Sequence, residues 1–331
     1  MKPLRVGVIG CGRMGRERAL AVIALGHQVA WLHDANLAFA LELAAAVPGA
    51  RVAARLHDDD WQTLDAVFLC TPPAFRTEFL HTFLRARVPF FVEKPIGVTA
   101  EGGGPIAREL ARRPLIHAVG YMNRCRASVQ QARALLAGLH VLGVACHWAG
   151  RIYDVPWWLD AALSGGPVNE QATHVIDVCR FLLGDIDLVQ AIPANARRSA
   201  PEATAAIALR FAAGQAGTLL YTCGMREKQK QIGVRVLTAD GSVDLSGWEF
   251  AIASTLLKAP PAGDGATPIF TIETDRFLRA VGDNAHGAVA CDYADALRTQ
   301  LVVDAVRQSM ASGRPAHIGD PLRDVSDATH A

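Results

Sequence analysis

Two short segments of this 331-residue chain hold the residue types that move protons. The first is Glu93-Lys94-Pro95, which follows the apolar run Pro89-Phe90-Phe91-Val92. Lysine is scarce: of 33 basic residues, only Lys2, Lys94, Lys228, Lys230 and Lys258 are lysines. Arginine cannot be deprotonated in a protein, so a lysine at the mouth of an apolar strand draws attention to its titratable proton. Pro95 restricts the residue before it to extended backbone, which directs the Lys94 side chain. Partly desolvated and close to another cation, such an amine titrates below its usual pKa of about 10.4. It then exchanges a proton with a hydroxyl or a carbonyl. A surface lysine paired with Glu93 accounts for the same three residues equally well.

The second segment runs from Gly165-Gly166-Pro167 through Asn169, Glu170, His174 and Asp177. Apolar spacing predicts a helix over Gln171–Leu183 that buries Val175, Ile176, Val178, Phe181 and Leu182. Glu170 lies four residues before His174 and Asp177 three after it, so all three can share one face. Carboxylates beside an imidazole orient it and relay its proton. The alternative is a histidine hydrogen-bonded within the core. A single Glu-x-x-x-His pair with no second histidine pair is a poor metal site, and no metal is expected.

The elements that must position these residues begin at the N-terminus. Leu4–Ile9 is a β-branched strand, and Gly10, Gly12 and Gly15 follow it in G-x-G-x-x-G spacing before a helical segment over Arg13–Leu25. Alone the spacing is weak; between a strand and a helix it is the context of a dinucleotide-binding turn. Gly10 permits the turn, Gly12 lets the backbone approach a pyrophosphate, and Gly15 packs helix on strand, while the helix N-terminus presents its N–H groups. Cys11, Arg13 and Met14 fill out this loop. Asp34, 19 residues after Gly15 and at the end of the strand Gln28–His33, stands where a carboxylate accepts from the ribose hydroxyls. It would repel a 2′-phosphate, and Ala35-Asn36 supply no arginine to receive one, so NAD is favoured over NADP. Asp34 also suits a helix N-cap. Thr71-Pro72-Pro73 ends the strand Asp65–Cys70 and either borders the cofactor or only breaks the ladder.

Further helices over Phe75–Arg87 and Ala100–Arg113 and strands over Pro89–Val92 and Leu115–Val119 complete an alternating βα pattern. Non-alternating apolar strands separated by helices imply a parallel, doubly wound sheet. After Gly120–Tyr121 the pattern changes. Strands are expected over Val141–Ile152, Leu188–Ala194, Ala203–Phe211, Gln215–Thr222, Gly233–Thr238 and Ser242–Leu245, with hairpin signals at Ala213-Gly214 and Asp240-Gly241. Helices are expected at Ala127–Ala137 and Tyr293–Ser312, the latter stopped by Gly313 and Pro315. The expected architecture is thus α/β: a Rossmann domain over 1–120 and a second α/β domain with a mixed, largely antiparallel sheet over 121–331. Lys258–Thr267 is read as an exposed loop and the last ten residues as a loose tail.

Bulk composition narrows the partners. A formal charge of +1 predicts no electrostatic footprint for nucleic acid or an anionic membrane. No apolar run approaches the roughly 18 residues of a spanning helix. The N-terminal segment lacks a small-residue cleavage site, so no signal peptide is expected. Seven cysteines without a CxxC pair suggest reduced core residues and a cytoplasmic address.

Taken in order, the glycine fingerprint, the Thr-Pro-Pro loop, Glu93-Lys94-Pro95 and the glycine-led helix with His174 and Asp177 resemble the Gfo/Idh/MocA oxidoreductases. That family includes inositol dehydrogenase and glucose–fructose oxidoreductase. The resemblance extends nearly the length of the chain, through Ala311-Ser312-Gly313-Arg314-Pro315. It implies that Lys94 is catalytic, that His174 assists or acts as the base, and that the second sheet mediates a homo-oligomer, a dimer or tetramer. Glu93, Thr71 and Pro72 would then border the cofactor, and Tyr121 and Asn123 the substrate. Two departures stand out: Glu170 occupies a position commonly held by aspartate, and Asn123 one often held by arginine. Trp157 and Trp158 form either a substrate wall or core. The expected function is an NAD-dependent dehydrogenase or reductase acting on a secondary hydroxyl or carbonyl of a sugar, polyol or related small molecule. The alternatives are an NAD-dependent glycosidase with transient oxidation and a non-catalytic dinucleotide sensor.

Overall fold

The structure, a computed structural model, describes residues 2–194, 204–256 and 267–320. The apolar runs of the first 120 residues form six parallel strands: β1 (Arg5–Ile9), β2 (Gln28–His33), β3 (Arg51–Val52), β4 (Ala66–Leu69), β5 (Phe90–Val92) and β6 (His117–Val119). Their order is β3-β2-β1-β4-β5-β6. Every residue of β4 and β5 is buried, because helices cover both faces of the sheet. The chain winds in opposite directions on either side of β1 and β4. The crevice beyond their carboxyl ends is where an open α/β sheet accepts a ligand.

The second sheet contains β7 (Val141–Ala149), β8 (Ile186–Pro193), β9 (Thr204–Phe211), β10 (Ala216–Thr222), β11 (Gln231–Thr238), β12 (Ser242–Ser246), β13 (Ala251–Ser254) and β14 (Ala316–His317). Its order is β13-β12-β11-β7-β10-β9-β8-β14. β7 and β10 run parallel, and the other neighbours are antiparallel. Hairpins turn at Ala213-Gly214 and Asp240-Gly241. Burial alternates along β9 and β10, so one face of the sheet is covered. The covering helices, Ala127–Leu136, Thr173–Leu183 and Tyr293–Ser312, bring Val129, Val175, Ile176 and Val303 into a core with Leu209, Leu219 and Val234. Among the described residues no helix is long and apolar enough to cross a membrane.

Several elements had no sequence signal. β3 and β14 have two residues each, too few for a period. The helix Ile269–Gly282 carries Glu273, Asp275, Arg276 and Arg279 among its apolar residues, which blurs its stripe. It nonetheless places Phe277 edge-on to Phe68 at 5.4 Å and to Phe91 at 5.6 Å, beneath the first sheet. Cys291, Tyr293 and Leu297 join the opposite side of that sheet. The sheets change at Gly120–Tyr121, but the chain returns to the first one between Phe277 and Leu297. The loop expected at Lys258–Thr267 lies outside the described residues except for Thr267, as does the expected C-terminal tail.

One buried charge network joins the returning helix to the first domain. Arg18 is fully buried and pairs with Glu93 at 2.7 Å and Glu273 at 2.5 Å. Its Nη1 also donates to the Phe270 carbonyl at 3.1 Å and to Thr274 Oγ1 at 3.2 Å. The guanidinium lies 4.3 Å from the centre of the Phe91 ring. A single cation faces two carboxylates, and burial pushes the Glu273 carboxyl up from 4.5 to about 7 against the opposing pull of Arg18. Glu273 Oε1 has no hydrogen-bond partner.

The folded chain therefore holds a proton on Glu273 that the unfolded chain releases. This contribution to stability is complete below pH 4.5 and is lost as the pH rises through about 7. Glu273→Gln removes it, so the Tm of the variant relative to the wild type is expected to rise between pH 4.5 and 8. Parallel Tm curves over that range would refute this assignment.

Candidate active site

The glycine turn is shaped for close approach. Gly10 has φ +86°, and a Cβ there would lie 2.7–2.8 Å from the backbone of Cys70 and Thr71. A Cβ on Gly15 would collide with the Gly10 carbonyl oxygen, whereas Gly12 has nothing within 4 Å of that position and faces open space. The helix Arg13–Ala24 starts here with no side-chain cap, leaving its first N–H groups available. Asp34 Oδ2 accepts from the Cys11 N–H at 2.7 Å, and Oδ1 accepts from the Asn36 N–H at 2.8 Å. The cap of the following helix is Asn36, which accepts from Ala38 N at 3.2 Å, and not Asp34. The Cys11 side chain is buried with Sγ against the His33 carbonyl; Arg13 is exposed and Met14 half-buried. Beside this loop lies a cavity of about 170 Å³ lined by Cys11, Gly12, Arg13, Arg16, Phe39, Glu42 and Leu43. A bare glycine backbone, an uncapped helix N-terminus and a carboxylate at the end of β2 fit a dinucleotide with free ribose hydroxyls.

Lys94 lies at the carboxyl end of β5, and its peptide bond to Pro95 is cis. Buried Arg76 ties two loops together here. Its Nε and Nη2 donate to the Thr71 carbonyl at 3.0 and 2.6 Å, and its Nη1 donates to the carbonyls of Glu93 and Pro95. Thr71 and Pro72 are half-buried beside it. Glu93 corrects an expectation: its carboxylate is 4% exposed and turned inward to Arg18, so it neither pairs with Lys94 nor faces the crevice. The Lys94 side chain is 15% exposed; its Nζ donates to the Glu170 carbonyl at 3.0 Å and lies 3.4 Å from Glu170 Oε2.

Glu170 and His174 enter the same cluster from the glycine-led segment. Val168–Ala172 is a π-helical turn that runs directly into the helix Thr173–Leu183, and all of it is buried. The His174 ring stacks on Trp148 at 5.5 Å and 10°. Gln171 Oε1 accepts from Trp148 Nε1 and from the Tyr221 hydroxyl, each at 3.2 Å, which anchors the stack to the second sheet. His174 Nδ1 and Glu170 Oε1 are buried without hydrogen-bond partners. Burial, and after it the charges of Lys94, Lys230, Arg13 and Arg126, hold the imidazole well below its usual pKa of 6.5, so it is neutral.

Asp177 is a correction. One turn farther along the helix it pairs with Arg124 at 2.6 Å and accepts from Thr299 Oγ1 at 3.0 Å, a structural role with no bond to His174. The helix is buried all round at that point, so its faces contact different neighbours. Tyr121 is likewise not a pocket wall: it is 1% exposed, packs in the core of the first domain and bonds Thr173 Oγ1 at 2.9 Å. Asn123 is buried and accepts from Arg126 Nε at 3.0 Å. Trp158 is core, edge-on to Tyr153 at 5.4 Å, while Trp157 is half-buried on the short helix Pro156–Leu159.

Sequence reasoning missed Arg18, Arg76, Trp148 and Trp248, and it did not single out Lys230 within the loop Met225–Lys230, where pocket specificity is expected. The rarity of lysine was the one available signal for Lys230, and it did not separate Lys230 from Lys228. Lys230 Nζ lies 4.0, 5.2 and 5.6 Å from the ring centres of Trp248, Tyr153 and Trp148. Burial first, then the charges of Arg13 and Lys94, bring its ammonium from 10.5 down to about 8.

The chain matches known proteins on both halves. Residues 4–121 match the model of an oxidoreductase family described as an NAD-binding Rossmann fold, and residues 137–244 match the GFO/IDH/MocA C-terminal domain. Inositol 2-dehydrogenase 2 of Saccharopolyspora erythraea is 34% identical over 207 residues, which span 59% of this chain and 58% of that relative. Levoglucosan dehydrogenase of Pseudarthrobacter phenanthrenivorans is 23% identical over 94% of this chain and 97% of its own length. Among solved structures, GenD2 from gentamicin A biosynthesis in complex with NAD superposes with a TM-score of 0.84 at 22% identity, covering 96% of this chain and 97% of that one. A levoglucosan dehydrogenase complex with NADH and levoglucosan does so with a TM-score of 0.81 at 20% identity, covering 96% and 100%. With its glycine turn fitted to a dinucleotide and both family domains in sequence order, the chain belongs to the GFO/IDH/MocA family of NAD-binding oxidoreductases.

Proposed function

We propose that this protein is an NAD-dependent dehydrogenase or reductase acting on a secondary hydroxyl or the corresponding carbonyl of a sugar, polyol or related compound. The observation that carries this is the convergence of Lys94, Glu170 and a neutral His174 at the carboxyl end of β5, on the same edge of the first sheet as the glycine turn at the end of β1. Relatives named inositol and levoglucosan dehydrogenases support the substrate class.

When bound, NAD supplies the hydride acceptor in oxidation, or the donor in its reduced form. The chain's own residues handle the proton. In the oxidative direction a substrate C–H and O–H bond both break, and the O–H proton needs an acceptor. We assign His174 as that acceptor: its imidazole is neutral and so keeps a lone pair for the proton. The Lys94 Nζ, held by Glu170, donates to the same oxygen and stabilises the negative charge that builds there. The Glu170 carbonyl and carboxylate fix the direction of the Lys94 ammonium, and through it the position of the ligand oxygen. The stacked face of Trp148 keeps the imidazole from turning away. In reduction His174 returns that proton while Lys94 keeps its hydrogen bond to the oxygen.

The test is a panel of sugars and polyols with NAD, read by NADH absorbance at saturating cofactor. Lys94→Ala is expected to lower kcat/KM by about 10³-fold, with His174→Asn losing about 10²–10⁴-fold. Equal rates in wild type and Lys94→Ala would remove Lys94 from the mechanism. Asp34 is tested separately by binding. Asp34→Ala should weaken NAD by at least about tenfold while leaving NADP unchanged or tighter, since each tenfold step is about 1.4 kcal/mol. A wild type that binds NADP more tightly than NAD would contradict the assigned role of Asp34.

A further inference from the structure

The charges around His174 do not balance. Four cations weigh on it: Lys94, Lys230, Arg13 and Arg126. Arg13 belongs to the glycine turn, where the phosphates of a dinucleotide would meet it. Lys94 has Glu170, at 3.4 Å. Arg126 pairs through Nη1 with Glu249, which stands next to Trp248 in sequence, yet Arg126 is 1% exposed and its Nη2 is buried without a partner. Lys230 is the surplus charge. Among the described residues no carboxylate pairs with it, and its amine is held over the rings of Trp248, Tyr153 and Trp148.

Three aromatic faces compensate a desolvated ammonium only in part, and two further cations oppose it. A purely structural lysine gains nothing from sitting near Lys94 and Arg13, since a methionine of similar length would fill the same space without the repulsion. Lys230 and His174 both lie against the Trp148 ring. A buried guanidinium N–H with no acceptor, in the same group of cations, is the second sign of a missing anion.

We propose that Lys230 forms an anion subsite, and that the substrate is an acidic sugar or polyol derivative bearing a carboxylate or a phosphate in addition to the hydroxyl that reacts. The proposal rests on the dehydrogenase function above and narrows its substrate class. Lys230 binds and orients this anionic group at one end of the molecule, while Lys94, Glu170 and His174 engage the reacting carbon at the other. The aromatic side chains between them offer apolar faces to the sugar ring.

Matched substrates test it: D-glucose against D-glucuronate for the carboxylate and against D-glucose 6-phosphate for the phosphate, with the corresponding galactose series. Each is assayed with NAD by initial rate and by quenching of tryptophan fluorescence in the presence of NADH. The wild type is expected to favour one anionic member over its neutral counterpart by at least about tenfold in kcat/KM or in affinity, a preference of about 1.4 kcal/mol. Whichever of the two anions is favoured names the group. Lys230→Met should reduce that anionic-to-neutral ratio by at least tenfold, chiefly through KM, and Lys230→Arg should retain most of it. A wild type that prefers neutral sugars, or a Lys230→Met variant with an unchanged ratio, overturns the anion subsite and leaves the dehydrogenase function standing. Anion-selective quenching lost in Lys230→Met, without NADH formation from any substrate, sustains the subsite and removes the proposed activity. No binding of any anionic sugar by either measurement overturns the subsite.

Discussion

The structure depends on two buried guanidinium groups that hold the loop Glu93-Lys94-Pro95 in place. Arg18 grips the Glu93 carboxylate from below, and Arg76 grips the carbonyls of Glu93 and Pro95 from the side while also binding Thr71. A strand end is normally the least constrained part of a sheet, with its last carbonyls unpaired. Here those carbonyls have charged donors, and the side chain just before Lys94 is locked into an ion pair. Lys94 is left with little freedom except in its own methylene chain, and Glu170 limits that. Losing either arginine would leave buried acceptors or a buried carboxylate unpaired, an effect of about 3–5 kcal/mol for a broken buried ion pair.

The same arrangement explains why the helix Ile269–Gly282 crosses back to the first domain. Arg18 would be an unaffordable cation in the core with Glu93 alone, since its other N–H groups need acceptors too. Glu273, the Phe270 carbonyl and Thr274 supply them, and Phe277 adds an aromatic contact with Phe68 and Phe91. Lys94 is thereby connected through Glu93 and Arg18 to a segment about 180 residues away in the chain. The candidate catalytic groups come from separate segments. Lys94 comes from the first sheet, Glu170 and His174 from the segment leading into the second domain, and Trp148 and Lys230 from the second sheet and its rim.

Electrostatically the site is positive and mostly dry. That combination keeps His174 neutral, because burial penalises the imidazolium and each nearby cation adds to the penalty. A neutral imidazole keeps a lone pair, and the cations that suppress its charge favour negative charge on a nearby oxygen. The π-helical turn at Val168–Ala172 contributes by bringing both the carbonyl and the carboxylate of Glu170 to Lys94.

The amino-acid order alone determined the parallel first sheet, the change of pattern after Gly120, the glycine turn and the bounds of the helix Tyr293–Ser312. These are local properties, set by the period of apolar residues, the φ of glycine and the stop signals of Gly313 and Pro315. The order left Lys94, Glu170 and His174 only as candidates whose roles the family resemblance implied. Only the tertiary structure decided the partners. Asp177 looked like a neighbour of His174 because they are three residues apart, but the helix is buried on every side and turns Asp177 to Arg124. Tyr121 and Glu93 looked like crevice residues from their positions after strands, and both point into the core. Arg18, Arg76, Trp148 and Lys230 carried no spacing signal because their roles come from contacts between distant segments. A periodicity reports which face of an element is apolar, and it does not report which charge from elsewhere in the chain will meet that face.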